Sequence, residues 1–213
     1  MTVIKTQIGI EEIRRSLSGS RAPRDPTQAV MPHESEKWPA KFLEMASGNL
    51  KAAGVLIPII DRPGGLTVLL TQRSTELRLH AGQVSFPGGR MESTDKDIVA
   101  TALRETHEEV GIDPEIVEVA GYLDPAPTVT GYAVTPVIGL VSPSVSIVID
   151  PGEVEAAFEV PLEFLLDKGN QQDSVRVYEG IELKIVEFNY ADRRIWGATA
   201  SMLIQLRKRL LNH

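Results

Sequence analysis

The chain contains no cysteine, which excludes disulfide bonds and thiol catalysis. It also lacks any run approaching the ~20 apolar residues of a membrane-spanning helix, and its N-terminus lacks the apolar segment of a secretory signal. A net charge of −7 disfavours a general nucleic-acid-binding surface. We therefore expect a cytoplasmic protein with no nucleic-acid or membrane partner. A mitochondrial or peroxisomal address is the alternative, although the C-terminus does not resemble the peroxisomal Ser-Lys-Leu signal.

The pattern of apolar residues predicts a mixture of strands and helices. Strands over 53–60 and 66–72 form a hairpin through the turn Asp-Arg-Pro-Gly-Gly. The other predicted elements are a helix over 10–17, an extended segment over 84–87, strands over 116–123, 132–141 and 146–150, a helical turn beginning at 155–158, helices over 162–166 and 199–211, and a hairpin of 175–177 with 183–190. No regular βαβ rhythm is present, which favours a mixed sheet between helices, an α/β (α+β) fold, over a doubly wound fold.

Residues 18–39 are rich in Pro, Ser, Arg and Gly, which is typical of a loop or arm. This segment is either a plain surface extension or an arm that packs on a partner subunit. We divide the chain into an N-terminal helix and Pro-rich arm over 1–40 and one α/β domain over 41–213. No internal repeat or low-complexity tract divides the chain further.

The segment 97–110 predicts a helix that carries a face of acids. It contains no Gly or Pro, candidate N-cap residues occur over 93–95, and Gly111 suits the position just beyond the C-terminus. Glu105, Glu108 and Glu109 share one face at spacing i, i+3, i+4, with Arg104 as the neighbouring cation. Three stacked carboxylates repel one another unless a cation neutralises them, and hard divalent cations prefer oxygen ligands. The helix therefore predicts metal-assisted phosphate chemistry rather than an ordinary solvated face.

The helix and the glycine turn before it resemble the Nudix box. That pattern is Gly, five residues, Glu, seven residues, then Arg-Glu-aliphatic-x-Glu-Glu-x-Gly-aliphatic. Here the matching residues are Gly89, Arg104, Glu105, Glu108, Glu109, Gly111 and Ile112. Asp95 stands at the first glutamate, the gap to Arg104 is one residue longer, and Thr106 replaces an aliphatic residue. Either Asp95 or Asp97 therefore takes the role of the early glutamate.

The residues upstream of the glycine turn resemble a narrower group, the coenzyme A pyrophosphatase branch of the Nudix hydrolases. From residue 69 to residue 89 the chain matches the branch motif as LLTxRSxxLRxHxGxVxFPGG. This branch also tolerates the longer box spacing. The resemblance extends more loosely from about Lys51 to Arg207, where RxWGxTA from Arg194 resembles the start of the branch's C-terminal helix. It implies the Nudix αβα sandwich with a mixed sheet.

The same glutamates are the candidate metal ligands, and the resemblance assigns them the same role. Mg²⁺ or Mn²⁺ would be held by Glu105, Glu108 and Glu109, with the Gly89 carbonyl as a further ligand because a glycine turn allows close backbone approach. We expect Arg104 to orient a carboxylate, with a simple surface ion pair as the alternative.

The general base is expected outside the box, on a later loop, as in related hydrolases. Glu153 and Glu155 are the candidates there, and Glu108 is the alternative. Both later glutamates could instead be ordinary solvated loop residues.

Candidate substrate-binding residues are Arg73, Arg78, His80 and Gly88. Arginine binds phosphate in a bidentate manner, so we expect Arg73 or Arg78 to contact the 3′-phosphate of coenzyme A. His80 is more typical of a structural histidine. Phe86, Trp196 and Tyr132 are candidate adenine or pantetheine contacts, with core packing preferred for the first two.

The resemblance implies divalent-metal-dependent hydrolysis of coenzyme A or acyl-coenzyme A at the diphosphate, giving 3′,5′-ADP and (acyl-)4′-phosphopantetheine. One alternative is another nucleoside diphosphate derivative, such as ADP-ribose, NADH or a dinucleotide. The other is a non-catalytic nucleotide-sensing domain, which the complete glutamate set disfavours. The expected partners are this small-molecule substrate and, as a candidate, a second copy of the chain in a homodimer.

Overall fold

The computed structural model describes residues 8–31, 40–76, 81–178 and 181–211. In these residues the helices are α1 (Ile10–Leu17), α2 (Ala40–Ser47), α3 (Ile98–Val110), α4 (Leu162–Leu166) and α5 (Gly197–Leu211). The strands are β1 (Lys51–Arg62), β2 (Gly65–Arg73), β3 (Val84–Ser85), β4 (Gly88–Arg90), β5 (Val117–Tyr122), β6 (Ala126–Pro127), β7 (Tyr132–Val141), β8 (Val154–Pro161), β9 (Gln171–Tyr178), β10 (Ile181–Tyr190) and β11 (Arg193–Trp196). None of these helices has the length and apolarity needed to span a bilayer.

The main sheet is mixed, as the sequence predicts. Its order is β3-β2-β1-β7-β5, with β4 beside β1, β6 beside β7 and β8 beside β2. β1 runs parallel to β7 from Lys51 opposite Tyr132 to Ile60 opposite Val141. The other pairs in this sheet are antiparallel, including the predicted β1–β2 hairpin. The predicted fold class, a mixed sheet with helices on its faces, is confirmed.

Helices cover the main sheet on both faces. Successive β1 residues alternate between the faces: Ile57 belongs to one core cluster and Leu56 to another. The first cluster also contains buried residues of α1, α4 and α5, namely Ile13, Leu17, Leu165, Leu203 and Leu206. On the other face, Ala102 and Val110 of α3 pack against the sheet. The central strands are buried on both sides, which explains why β1 and β7 are almost continuously apolar.

A second, antiparallel sheet has the order β11-β10-β9. It contains the predicted hairpin, in which Glu187 pairs with Gln172 and Ile181 with Tyr178. β11 is an additional strand that no pattern in the sequence predicted. It carries the chain from β10 into α5.

Two local predictions were wrong. Residues 146–150 form no strand; instead Val148 N donates to Val110 O and Asp150 N to Glu109 O, both 3.0 Å, which ties the segment to the end of α3. The helical turn predicted at 155–158 is part of β8. Glu and Ala favour helix. Here, however, β8 forms a ladder of hydrogen bonds with the edge of β2 that β1 leaves free, and this pairing overrides the local preference.

The N-terminal helix is integrated with the rest of the fold. Ile13 and Leu17 are fully buried in the core beside α5 and β5. Residues 18–31 contain neither helix nor strand and lie against the same chain, where Val30 N donates to Pro125 O at 2.8 Å. The predicted domain boundary at residue 40 stays a prediction.

Candidate functional site

α3 is positioned by one capping carboxylate and two glycines. Asp97 is the N-cap and accepts from Ala100 N at 2.9 Å, so the predicted caps at 93–95 were wrong. Gly111 ends the helix in the left-handed conformation, as predicted, with φ 71°. Gly54 in β1 allows the helix to lie close to the sheet, because a Cβ there would stand 2.7 Å from the carbonyl oxygen of Ile98.

Gly88 and Gly89 lie in strand β4 and pair with β1, so the predicted glycine turn was wrong, and this strand lies against α3. Gly88 has φ +151°, and a Cβ there would overlap the backbone of Gly54 and Val55. A Cβ at Gly89 would overlap the carboxylate of Glu105. Gly88 is therefore required by space, because it meets backbone, whereas a methyl group at Gly89 would displace the Glu105 carboxylate that lies directly against it.

Arg104 links the carboxylates around α3. Its guanidinium binds both oxygens of Asp95, at 2.9 and 3.0 Å, and donates to Glu105 at 3.0 Å and to Glu108 at 2.9 Å. It also reaches the carbonyl of Arg90 at 3.3 Å. Arg104 therefore orients several carboxylates at once and is more than the simple surface ion pair that was the alternative.

Asp95, not Asp97, is the acid that pairs with Arg104. Its side chain is 4 % exposed and also accepts from Thr101 Oγ1 at 2.9 Å and Glu92 N at 2.8 Å. The hydrogen bond from Arg104 is the main reason that the pKa of Asp95 is held well below its usual range. The extra residue in the box is therefore accommodated in the loop, with Asp95 and Arg104 still joined.

Glu109 is a buried carboxylate with weak partners. Its side chain is 2 % exposed, and it receives only Gly88 N at 3.3 Å and Arg73 Nη1 at 3.5 Å among the described residues. Burial raises the pKa of Glu109 to about 8; Arg73 and the Gly88 amide oppose this rise, and the charges of Glu153 and Glu105 add to it. Burial likewise raises the pKa of Glu105.

The remaining predicted acids differ in position. Glu153 is exposed, in the turn before β8, where its carbonyl accepts from Ser74 N at 2.8 Å and its charge raises the pKa of both Glu105 and Glu109. Glu155 is exposed at the irregularity where β8 faces β2. Glu108 is 52 % exposed and turned toward Arg104. The structure thus brings Glu153 to the acid cluster, defined here as Glu105, Glu108, Glu109 and Glu153.

The acid cluster offers the oxygen ligands that a divalent ion prefers, although its side chains do not yet point toward one common position. In the described part of the chain, no three carboxylates or imidazoles converge on one point. The carboxylates do not converge because Arg104 holds Glu105 and Glu108 in hydrogen bonds. Burial, with a smaller contribution from neighbouring glutamates, raises the pKa of both Glu105 and Glu109, so their charged forms are disfavoured and a dication would stabilise them. An all-oxygen donor set of this kind fits Mg²⁺ or Mn²⁺.

Of the predicted substrate-binding residues, Arg73 and Gly88 lie at the acid cluster, where both contact Glu109. Arg78 and His80 lie outside the described residues. Phe86 is 2 % exposed in the main core, which confirms packing as its role. Gly54 was missed, although a glycine inside an apolar strand is a recognised signal of close backbone approach.

Comparison with known proteins gives a consistent result. A family model described as the NUDIX domain matches residues 50–180. The chain is 45 % identical over 159 residues to an Escherichia coli protein named "Uncharacterized Nudix hydrolase NudL", covering 74 % of this chain and 82 % of the relative. The Shigella boydii protein of the same name is 46 % identical over the same shares. A MutT/nudix family protein from Enterococcus faecalis is similar in structure, with TM-score 0.49 and 15 % identity over 78 % of this chain and 63 % of that one.

The chain therefore belongs to the Nudix family. It is a Nudix hydrolase, an enzyme that acts on the phosphorus-containing anhydride of nucleoside diphosphate derivatives. Enzymes of this family generally use divalent metal ions.

We expect Gly89→Ala to reduce kcat strongly with little change in fold. The added methyl overlaps the Glu105 carboxylate, and a displacement of about 1 Å at a reacting centre costs about 100-fold in rate. Steady-state kinetics and the melting temperature are the measurements. Gly64→Ala is the matched control, because its Cβ would meet nothing within 4 Å. Equal kcat values for the two variants would contradict the role assigned to Gly89.

Proposed function

We propose that this hydrolase cleaves the diphosphate of coenzyme A or an acyl-coenzyme A, giving 3′,5′-ADP and (acyl-)4′-phosphopantetheine. The observation that carries the proposal is the upstream motif, from residue 69 to residue 89, which resembles the coenzyme A pyrophosphatase branch. A cytoplasmic location and a homodimer are part of the proposal.

The geometry of Arg73 supports a link between this motif and the acid cluster. Arg73 N donates to Gln83 O at 3.0 Å and Gly82 N donates to Arg73 O at 3.1 Å, so two backbone hydrogen bonds join Arg73 to the later part of the motif. The side chain of that same residue reaches Glu109. Arg73 Nε is buried without a partner in the described residues, so the guanidinium retains capacity to bind a phosphate oxygen.

The acid cluster supplies the proposed metal ligands. Glu105 and Glu109 would hold Mg²⁺ or Mn²⁺, joined by Glu108 once it leaves Arg104, with the Gly89 carbonyl as a further ligand. Bound metal would neutralise diphosphate charge and lower the pKa of a bound water. Arg104 acts as a positioning residue, because among the described residues it donates to three carboxylates and to the Arg90 carbonyl.

Glu153 is the preferred general base among the three candidates. Its charge acts on both Glu105 and Glu109, whereas Glu155 lies at the strand irregularity and Glu108 pairs with Arg104. Exposure leaves Glu153 free to hold a proton taken from water and to release it to solvent.

Glu153→Gln should lower kcat by about 100-fold, because the side chain that takes the proton from water is lost. Glu155→Gln is the matched control, since it lies two residues away on the same segment and is also exposed. kcat measured from pH 5 to 9 distinguishes them. If Glu155→Gln shows the loss and Glu153→Gln does not, the assignment of the base is wrong.

Arg73→Gln should lower kcat/KM about 10-fold more for coenzyme A than for its 3′-dephospho form. The reason is that only coenzyme A loses a charge-assisted hydrogen bond to its 3′-phosphate. Arg15→Gln, an exposed cation of α1, is the control. Equal losses on both substrates would count against a 3′-phosphate contact and would leave a role at the diphosphate.

The substrate proposal is tested by product analysis. Purified protein with Mg²⁺ or Mn²⁺ is incubated separately with coenzyme A, acetyl-coenzyme A, NADH and ADP-ribose, and the products are separated by chromatography with mass detection. Metal-dependent release of 3′,5′-ADP from the coenzyme A compounds alone is the expected result. Cleavage only of NADH or ADP-ribose would discard the coenzyme A assignment, and no cleavage would favour a sensing domain.

A further inference from the structure

A concave surface lies away from the acid cluster. It is a groove of about 950 Å³ between residues 19–30 of the N-terminal arm, the segment that follows β5, and the last turns of α5. We call it the arm groove. Its polar and aromatic lining includes Arg21, Arg24, Tyr122, Asp124, Lys208 and Arg209. The volume is in the range of small-molecule sites.

The arm groove concentrates positive charge on an acidic protein. The chain has a net charge of −7, yet four exposed cations line this groove. In the described part of the chain, none of the four forms an ion pair with a carboxylate. The lining contains two acids. One of them, Asp25, accepts hydrogen bonds from Thr27 and Gln28 in the turn that it begins. The second acid is Asp124, so the lining carries four cations against two acids, a net charge of +2 that favours an anion.

The walls of the groove are held together by specific contacts. Ser20 Oγ accepts from Tyr122 N at 3.0 Å and donates to Leu17 O at 2.7 Å. Gly121 has φ +159°, and a Cβ there would overlap Ser20 Oγ, so the arm lies close against β5. At the other end of the arm, Val30 N is bonded to Pro125 O. The backbone of the arm is thus anchored at both ends of the groove, which keeps Arg21 and Arg24 on the groove's wall.

The groove is separated from the acid cluster by the width of the sheet. Gly89 of β4 pairs with Gly54 of β1, which pairs with Thr135 of β7, and the next residue, Pro136, accepts from Leu123 N at the groove. Three inter-strand spacings separate the two places, about 14 Å. A ligand in the groove therefore has its own set of partners.

We propose that the arm groove binds a phosphate-bearing small molecule of the nucleotide or oligophosphate class, at a site distinct from the acid cluster. Arg21 and Arg24 from the arm and Lys208 and Arg209 from α5 contact the phosphates, since guanidinium and ammonium groups form charge-assisted hydrogen bonds to phosphate oxygens. The apolar part of the lining, with Pro125 and the 53 % exposed Val30, suits a nucleoside. This inference does not depend on the substrate of the acid cluster.

The test is calorimetric titration of the full chain with tripolyphosphate and, separately, with ADP, in the presence of a chelator so that no hydrolysis occurs. Arg24→Gln/Arg209→Gln removes one cation from each wall. The control, Arg15→Gln/Lys51→Gln, removes two exposed cations outside the groove. All four positions are exposed, so folding, checked by circular dichroism, should be unaffected.

The expected result is one binding event in the wild type, weakened at least ~10-fold in the groove variant and unchanged in the control. Tighter binding of ADP than of tripolyphosphate would identify a nucleotide; equal binding would identify free oligophosphate. Arg73→Gln should retain the binding event. Absence of binding in the wild type, equal binding by the groove variant and the control, or loss only in Arg73→Gln would overturn the proposal. Hydrolytic activity is measured in a separate assay. Loss of the proposed coenzyme A activity would therefore leave the binding result in the groove unchanged.

Discussion

Replacing Glu109 by glutamine should abolish hydrolysis, with kcat lowered at least ~1,000-fold, while making the metal-free protein more stable at alkaline pH. Glutamine has nearly the same size as glutamate but cannot carry the negative charge that a divalent ion needs. Because Glu109 is 2 % exposed and has only two weak partners among the described residues, its charge is unfavourable for folding. Activity and stability should therefore change in opposite directions.

The sign of the stability effect follows from the raised pKa. Glu109 has a pKa of about 8 in the folded metal-free protein, against 4.5 for an unperturbed glutamate. Its contribution to stability is fully present below the unfolded value and is lost as pH rises through 8. Above that pH we expect Glu109→Gln to gain on the order of 2–3 kcal/mol over the wild type. Near pH 4.5 the two proteins should be alike.

Melting temperatures in chelator from pH 5 to 9, together with kcat in saturating Mg²⁺ or Mn²⁺, measure both effects. Glu115→Gln, an exposed glutamate outside the acid cluster, is the control and should change neither. A Glu109→Gln variant that retains activity with a normal circular dichroism spectrum would show that Glu109 is not a metal ligand. A lower melting temperature at pH 9 would show that its charge is compensated in the folded state.

Arg104→Gln should destabilise the fold by about 2–4 kcal/mol and lower kcat about 10- to 100-fold. The loss of stability arises at Asp95, which is 4 % exposed and would keep its charge without the guanidinium. The loss of activity arises because Glu105 and Glu108 lose the cation that they share. Asp95→Asn/Arg104→Gln should recover part of the stability and none of the activity.

The pH dependence provides a further check on this variant. The pKa of Asp95 is lowered from 3.8 by Arg104, so the stabilisation is present above that value and is lost as pH falls below it. The difference between wild type and Arg104→Gln should be full at pH 7 and should narrow below pH 3.8. Denaturant unfolding at the two pH values measures it. Arg14→Gln, which breaks a more exposed ion pair with Glu118, should lower the free energy of unfolding much less than Arg104→Gln does. Equal losses for the two arginine variants would contradict the account.

The local part of the site could be predicted from sequence because it depends on one helix. The face shared by Glu105 and Glu109 follows from helical periodicity, and the left-handed end at Gly111 follows from the preference of glycine for positive φ. The mixed sheet could be predicted because the order of strands and helices along the chain lacks a regular βαβ rhythm. Helical periodicity does not show how deeply each glutamate is buried. Glu109 is enclosed and Glu108 is half exposed, and this difference could be seen only in the structure.

The features that were missed depend on contacts distant in sequence. β8 is a strand because β2 offers it an edge, and its own residues favour helix equally well. The choice between Asp95 and Asp97 required knowing that the loop brings Asp95 to Arg104. The basic lining of the arm groove likewise combines positions near residue 21 with positions near residue 208, which no local pattern joins.

Mn²⁺ binding, followed by electron paramagnetic resonance of the free ion, tests the central claim most directly. The claim is that the acid cluster around Glu105 and Glu109 holds the divalent ion. At pH 8.5 the wild type and Glu115→Gln should bind Mn²⁺ with equal affinity, and Glu109→Gln should bind it at least ~100-fold more weakly. Equal binding by Glu109→Gln and the wild type would contradict the account, because the metal would then lie elsewhere.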